Sequence, residues 1–141
     1  MADTYDFPST AWFEALSNAL NASEDYAKAA ANYEGALCLE VLAEPPMLAE
    51  TIYGFVDPYH GKIREYAIMA SPTERLTDFQ VSGPYSTWKE IVKGNLDPMQ
   101  AIMKGKLKVR GSMAKLLKEV KASQAMLKSL KNIPTRYLDE C

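Results

Sequence analysis

Near Gly35 the apolar residues change from helical spacing to strict alternation, and no other feature of the 141-residue chain limits its fold more. Before that point Trp12, Phe13, Leu16, Ala19 and Leu20 recur with the helical period, which predicts a helix over about residues 10–20. Asn21, with Glu24 three residues on, reads as a capping box for a second helix carrying Tyr26, Ala27 and Ala29–Ala31 up to Gly35. After it, GALCLEVLA alternates Leu37, Leu39 and Val41 with Cys38 and Glu40, the period of a strand with one buried face. ETIYGFV at 50–56 and KIREYAIMA at 62–70 predict a hairpin joined by the loop DPYHG, and DFQVSG predicts a shorter strand with Phe79 and Val81.

The helical period then returns in pieces with clear boundaries. Thr87 and Glu90 read as a capping box ahead of Trp88, Ile91 and Val92, and Gly94 stops that helix. Asp97 is a good N-cap and Pro98 suits the first helical position of the next, which Gly105 closes. LKVRG reverts to alternation, and Ser112 opens one long helix with Met113, Leu116, Leu117, Val120, Leu127 and Leu130 on one side, ending before Pro134. This order, with a run of strands joined by short loops, predicts an antiparallel meander covered by helices, an α+β domain. The length suits a single domain over 1–141, with about 1–9 and 134–141 expected as flexible tails.

The segment KGKLKVRGS at 104–112 admits three readings: a phosphate cradle, a nucleic-acid strand, or the outer face of a half-buried strand. Its glycines lack the G-x-x-x-x-G-K-[ST] order, which argues against the first. Between Lys89 and Lys131 there is no aromatic residue on which bases would stack, so no nucleic-acid partner is expected. Charge is unevenly distributed: residues 1–80 hold 13 Asp/Glu and 4 Lys/Arg, a local −9, whereas 81–141 hold 5 and 12, a local +7. That polarity either steers an anionic ligand or marks two solvated surfaces.

Catalytic and metal constellations are weak. His60 stands alone, Cys38 and Cys141 are far apart, and a buried free cysteine in a strand is ordinarily apolar filler. No metal, cofactor or catalytic residue is expected. The acidic, non-apolar opening MADTYDFPST and the lack of an apolar run of membrane-spanning length point to a cytoplasmic chain. Met99, Met103, Met113 and Met126, together with Ile102, Leu116, Leu117 and Leu127, form flexible apolar faces low in aromatics. Such faces either pack a core or wall a cavity that adapts to its ligand.

The stretch DFQVSGPYSTWKEIVKGNLDPMQAIMKGKLKVRGSMAKLLK resembles the sterol carrier protein 2 family of non-specific lipid-transfer domains. The resemblance runs over about residues 78–120 and is carried by Trp88, Gly94, Leu96, Asp97-Pro98, Gly105, the strand Lys106–Arg110 and Gly111. It implies a five-stranded, largely antiparallel sheet covered by helices around an apolar tunnel. It also implies non-catalytic uptake of fatty acids, acyl-CoA thioesters, phospholipids or sterols. Phe79, Val81, Trp88, Met99, Ile102, Met103, Met113, Leu116, Leu117 and Val120 are then the candidates for its wall. Lys115 and Lys118 are either head-group contacts or solvated lysines. The expected partners are a hydrophobic small molecule and, in passing it on, a membrane or an enzyme. The alternative is an accessory subunit that presents a hydrophobic substrate to, or docks on, a partner enzyme.

Overall fold

The computed structural model describes residues 4–140. Strand β1 (Tyr5–Phe7) leads into α1 (Thr10–Asn21) and α2 (Glu24–Ala29). Strands β2 (Leu37–Leu42), β3 (Ile52–Tyr59), β4 (Lys62–Met69) and β5 (Phe79–Pro84) follow. Then come α3 (Tyr85–Val92), α4 (Pro98–Met103), β6 (Lys108–Arg110), α5 (Met113–Leu117), α6 (Val120–Leu130), β7 (Thr135–Tyr137) and a 3-10 turn at Leu138–Glu140.

The main sheet has the order β4-β3-β2-β5-β6. Pairing is antiparallel at β4–β3, β3–β2 and β5–β6, and parallel at β2–β5. The expected meander therefore ends at β4: the chain returns past β3 and lays β5 beside β2, with Leu39 opposite Val81. The β3–β4 turn is tighter than the loop DPYHG implied. Both strands run up to His60-Gly61, whose φ values of 49° and 81° are those of a two-residue turn. A side chain at Gly61 would also meet the Ala27 carbonyl oxygen at 2.6 Å.

Helices α1 and α6 pack together, and α1 lies against β3 and β4. The close approach of α1 depends on Gly54, where an added Cβ would sit 2.2 Å from Phe13 Cζ. The opposite face of the sheet holds a small cluster of Cys38, Phe55 and Met69. In β2 the side with Leu37, Leu39 and Val41 faces the helices, as the alternation implied, with Val41 fully buried and Leu37 and Leu39 half-buried beside the space there; Cys38, on the other face, is fully buried as well.

Segments expected as flexible tails pair with each other. β1 and β7 form a parallel two-stranded sheet with Asp6 opposite Arg136. The carboxylate of Asp6 takes two hydrogen bonds from that guanidinium, at 2.6 and 3.0 Å. Residues 1–3 and 141, also within the expected tails, lie outside the described residues.

Local signals account for most element ends. Asp97 caps α4, accepting from the Met99 and Gln100 amides at 2.7 and 3.4 Å, with Pro98 at its first position. Gly94 and Gly105 end α3 and α4 with left-handed φ of 83° and 75°. The α2 cap is Ser23, not Asn21; Asn21 instead clamps the Ile63 backbone through both amide atoms. α3 starts three residues earlier than the Thr87–Glu90 pattern implied, with Glu44 accepting from the Ser86 amide at 2.9 Å. The long C-terminal helix is two helices, broken at Lys118-Glu119.

Candidate functional site

An apolar cavity of about 130 Å³ lies between the helix side of the sheet and the helices. The sheet contributes Leu37, Leu39, Val56, Pro58, Ile63 and Val81, and α1 contributes Leu16 and Leu20. Tyr26 and Tyr33 border it beside α2, and Trp88 projects from α3. Pro98, Met99, Ile102 and Leu107 come from α4 and its exit, while Leu116, Glu119, Ala122, Ser123 and Met126 come from α5 and α6.

Polar groups around this space are largely committed to the protein. Trp88 Nε1–H donates to the Glu40 carbonyl at 2.9 Å, and the Tyr33 hydroxyl to the Gly35 carbonyl at 3.0 Å. Ser123 donates to Asp97 Oδ1 at 3.2 Å, so the α4 cap also ties α4 to α6. Burial, with the Glu119 charge second, pushes the Tyr26 hydroxyl up to about 12, and burial likewise raises Tyr33. Both phenols are thus neutral at ordinary pH, and the cavity offers its occupant mainly carbon.

The fold brings five of the ten candidate wall residues to this space: Val81, Trp88, Met99, Ile102 and Leu116. Phe79 is buried next to Gly111, whose added Cβ would lie 2.6 Å from its ring, and does not border the cavity. Met103, Met113, Leu117 and Val120 are at the surface. They leave the expected face for two reasons. α4 stops at Met103, one residue past Ile102, and the break after Leu117 ends the continuous stripe that a single helix would have held inward.

Lys118 is exposed at the end of α5. Lys115 folds back, its Nζ 6.0 Å from the Tyr33 ring centre and 5.9 Å from that of Phe79. Sequence reasoning missed the half of the lining that precedes Phe79. The alternation of Leu37 and Leu39 was the available signal, but it reads equally as filled core.

An open tunnel is not seen among the described residues, because 130 Å³ is below the roughly 300–1,000 Å³ of ordinary small-molecule sites. Cys38 and His60 stand apart from the cavity. The Cys38 thiol is pushed up to about 11, mainly by burial and then by Glu40, so it is protonated near neutrality. His60 Nε2 lies 2.6 Å from Glu34 at an exposed hairpin tip.

A larger open groove of about 790 Å³ is lined by Leu42, Met47, Pro84 and Leu96 together with Lys89, Lys93, Lys106 and Lys108. Lys89 is engaged: it pairs with Asp139 at 2.9 Å and with Glu140. No group of His, Cys, Asp and Glu among the described residues could hold a metal ion, and no helix there is long and apolar enough to cross a membrane.

No curated protein sequence matches the chain significantly. Among solved structures, a sterol carrier protein 2 crystal structure is 32% identical with a TM-score of 0.78, covering 89% of this chain and 97% of that one. A conserved hypothetical protein of Thermus thermophilus, described as possibly a sterol carrier protein, is 30% identical with a TM-score of 0.81 over 91% and 90% of the two chains. A sec-alkyl sulfatase is similar in fold alone, at 18% identity and a TM-score of 0.51, covering 76% of this chain and 15% of that one. The model of the SCP-2 sterol transfer family matches residues 13–124, from α1 into α6, well beyond the stretch that carries the resemblance in the sequence. The chain belongs to the SCP-2 sterol transfer family.

Proposed function

We propose that the chain is a non-catalytic cytoplasmic carrier that takes a fatty acid, acyl-CoA, sterol-like or other hydrophobic molecule between the sheet and helices α4–α6. It shields the molecule from water and passes it to a membrane or an enzyme. One observation carries this reading: a space between sheet and helices, bordered by side chains from both layers, whose lining is almost wholly apolar and whose polar side chains, Glu119 and the Tyr26 hydroxyl apart, are hydrogen-bonded within the protein. Each methylene buried there contributes about 0.8 kcal/mol, so a chain of modest length binds without any directional contact. Val81, Trp88, Met99, Ile102 and Leu116 form the ligand-contacting wall. Loading widens the cavity where the wall is made of the short elements α4 and α5, with Met99 and Met126 adapting to the ligand. Lys115, held over Tyr33, is placed to meet an anionic head group.

Native mass spectrometry of freshly purified protein, together with displacement of a fluorescent fatty acid, tests the proposal. A co-purified hydrophobic mass or saturable displacement is expected; neither one appearing removes the reading.

A second reading, presentation of a hydrophobic substrate to a partner enzyme, draws support from the open groove with its lysines, a concavity lined by residues separate from the apolar space. A stable enzyme partner recovered with the chain, coupled with no ligand uptake by the chain alone, would favour it over the first.

A further inference from the structure

The short helices that close the cavity carry apolar side chains on both sides. Inside, Met99, Ile102 and Leu116 border the cavity. Outside, Met103, Met113, Leu117 and Val120 are 68%, 41%, 40% and 42% exposed. Eight large hydrophobic side chains are exposed among the described residues, and half of them fall between positions 103 and 120. The exposure is therefore local, not a general property of the surface. Met113 and Leu117, four residues apart, share one side of α5, and Val120 opens α6 just beyond the break.

Charge follows the same segment. Residues 98–121 hold seven Lys or Arg and a single acid, Glu119, for a local +6, whereas the whole chain carries −2, which leaves −8 elsewhere. All seven cations are exposed, and none is in an ion pair with a described carboxylate. The strong cations of α3 and β7 are, by contrast, neutralised by neighbouring carboxylates.

Exposed apolar side chains ringed by unpaired lysines match a bilayer interface with anionic head groups. The cations meet the lipid charge and the apolar side chains enter the boundary of the acyl region. We propose that the outer side of α4, β6, α5 and the first turn of α6 docks on an anionic lipid bilayer. The −8 of the remaining chain turns the opposite surface away, which fixes the orientation. The inference rests on the carrier reading for its purpose: the docked face is the outer side of the cavity wall, so a ligand leaving between α4 and α5 enters the membrane without crossing bulk water.

Co-sedimentation of the full chain with vesicles of phosphatidylcholine alone, and of phosphatidylcholine with equimolar phosphatidylglycerol, tests it. Binding is expected to the anionic vesicles, to weaken with salt, and to be absent with phosphatidylcholine alone. Lys118→Glu with Lys121→Glu should lower the partition constant about 25-fold or more, at about fivefold per cation removed. Lys28→Glu with Lys62→Glu changes net charge equally on α2 and on β4, the sheet edge opposite β6, and should change binding far less. Met103→Ser with Leu117→Ser keeps the charge and should still weaken binding several-fold. No preference for anionic vesicles, equal losses in the two charge pairs, or no loss in the serine pair would each overturn the docking face. Fatty-acid uptake measured without vesicles keeps the two ideas apart. If the unaltered chain takes up no ligand, the carrier reading fails while the vesicle result still stands or falls by itself; if the variants retain uptake, their vesicle losses cannot be ascribed to misfolding.

Discussion

The end of the molecule where β1 meets β7 and the side formed by α4 and α5 cover the same sheet in opposite ways. At the first, rings interlock: Phe7 meets Trp12 edge-on at 4.7 Å and stacks on Tyr85 at 6.1 Å, and Trp12 meets Phe13 at 5.2 Å. Polar groups there are paired as well, with Trp12 Nε1–H on Thr135 at 3.1 Å, Tyr85 on Asp139 at 2.8 Å, and Lys89 on Asp139 and Glu140. At the second, the helices are only six and five residues long, the cations pair with no described carboxylate, and flexible Met and Leu border empty space. The first region supplies rigidity and the second adaptability. A carrier needs both, because the sheet has to persist while its cover changes shape around different ligands.

The largest test of that division is at Phe13. Its ring is fully buried and seated on Gly54, so Phe13→Ala should cost about 3–5 kcal/mol in urea unfolding and leave the helix–sheet contact unfilled. Leu116→Ala, on the adaptable side, should cost about 2 kcal/mol, the low end for such a truncation, because Leu116 already borders a cavity and fewer packed neighbours are lost. The same substitution widens the cavity, so displacement assays should show fatty-acid uptake retained or improved. Equal costs at Phe13 and Leu116 would erase the contrast between the two regions.

What could be read from the sequence divides along a related line. Features fixed by neighbouring residues were legible: the Asp97-Pro98 cap, the stops at Gly94 and Gly105, and the strand ending in Lys108–Arg110 with Leu107 buried and the lysines outward. The Gly and Asp-Pro pattern was legible for a further reason, because it repeats a family's punctuation and so carried the fold class with it. Features set by distant partners were not. The parallel pairing of β5 with β2 joins residues about forty apart, and the β1–β7 pair joins the two ends, so neither leaves a periodic trace. The break at Lys118-Glu119 was hidden because the apolar period runs across it, and that single kink turned Leu117 and Val120 from expected wall to surface. The lining from α1, α2 and β2–β4 was hidden because a residue bordering a small cavity and one filling a core share the same chemistry.

A smaller effect is expected from the clasp around Tyr85. Tyr85→Phe removes one hydrogen bond to Asp139 and should cost about 1 kcal/mol in thermal or urea unfolding, leaving ligand uptake unchanged. The clasp also has a pH signature. Hydrogen bonding to Lys89 is the main influence holding the Asp139 and Glu140 carboxyls below the usual carboxylate range. Groups depressed in the folded state stabilise it above their unfolded values and lose that contribution as pH falls through the folded ones, so the loss belongs below about pH 4. At the other end, Lys89 is raised by the same two partners, and its contribution is present below about pH 10.4 and lost as pH rises further. Lys89→Met should flatten the acid limb of a stability–pH curve; an unaltered limb would assign acid sensitivity to another part of the molecule.

The smallest expected effect separates the two sides of one helix turn. Ile102 and Met103 are adjacent in α4, yet Ile102 borders the cavity and Met103 is 68% exposed. Met103→Ser exchanges a side chain that already meets water, so stability should change by less than about 0.5 kcal/mol and fluorescent fatty-acid affinity should stay the same. Ile102→Ser places a hydroxyl against the ligand, and of the polar side chains in the lining all but Glu119 and the Tyr26 hydroxyl already have partners. An unpaired buried hydroxyl costs about 1–3 kcal/mol, so affinity should fall roughly tenfold, with little change in unfolding because Ile102 is only half-buried in the empty protein. Losses of equal size at both positions would mean that ligand reaches the outer side of α4. Unchanged affinity at both would place the ligand away from this helix altogether, against Leu37, Leu39 and Val56 on the sheet.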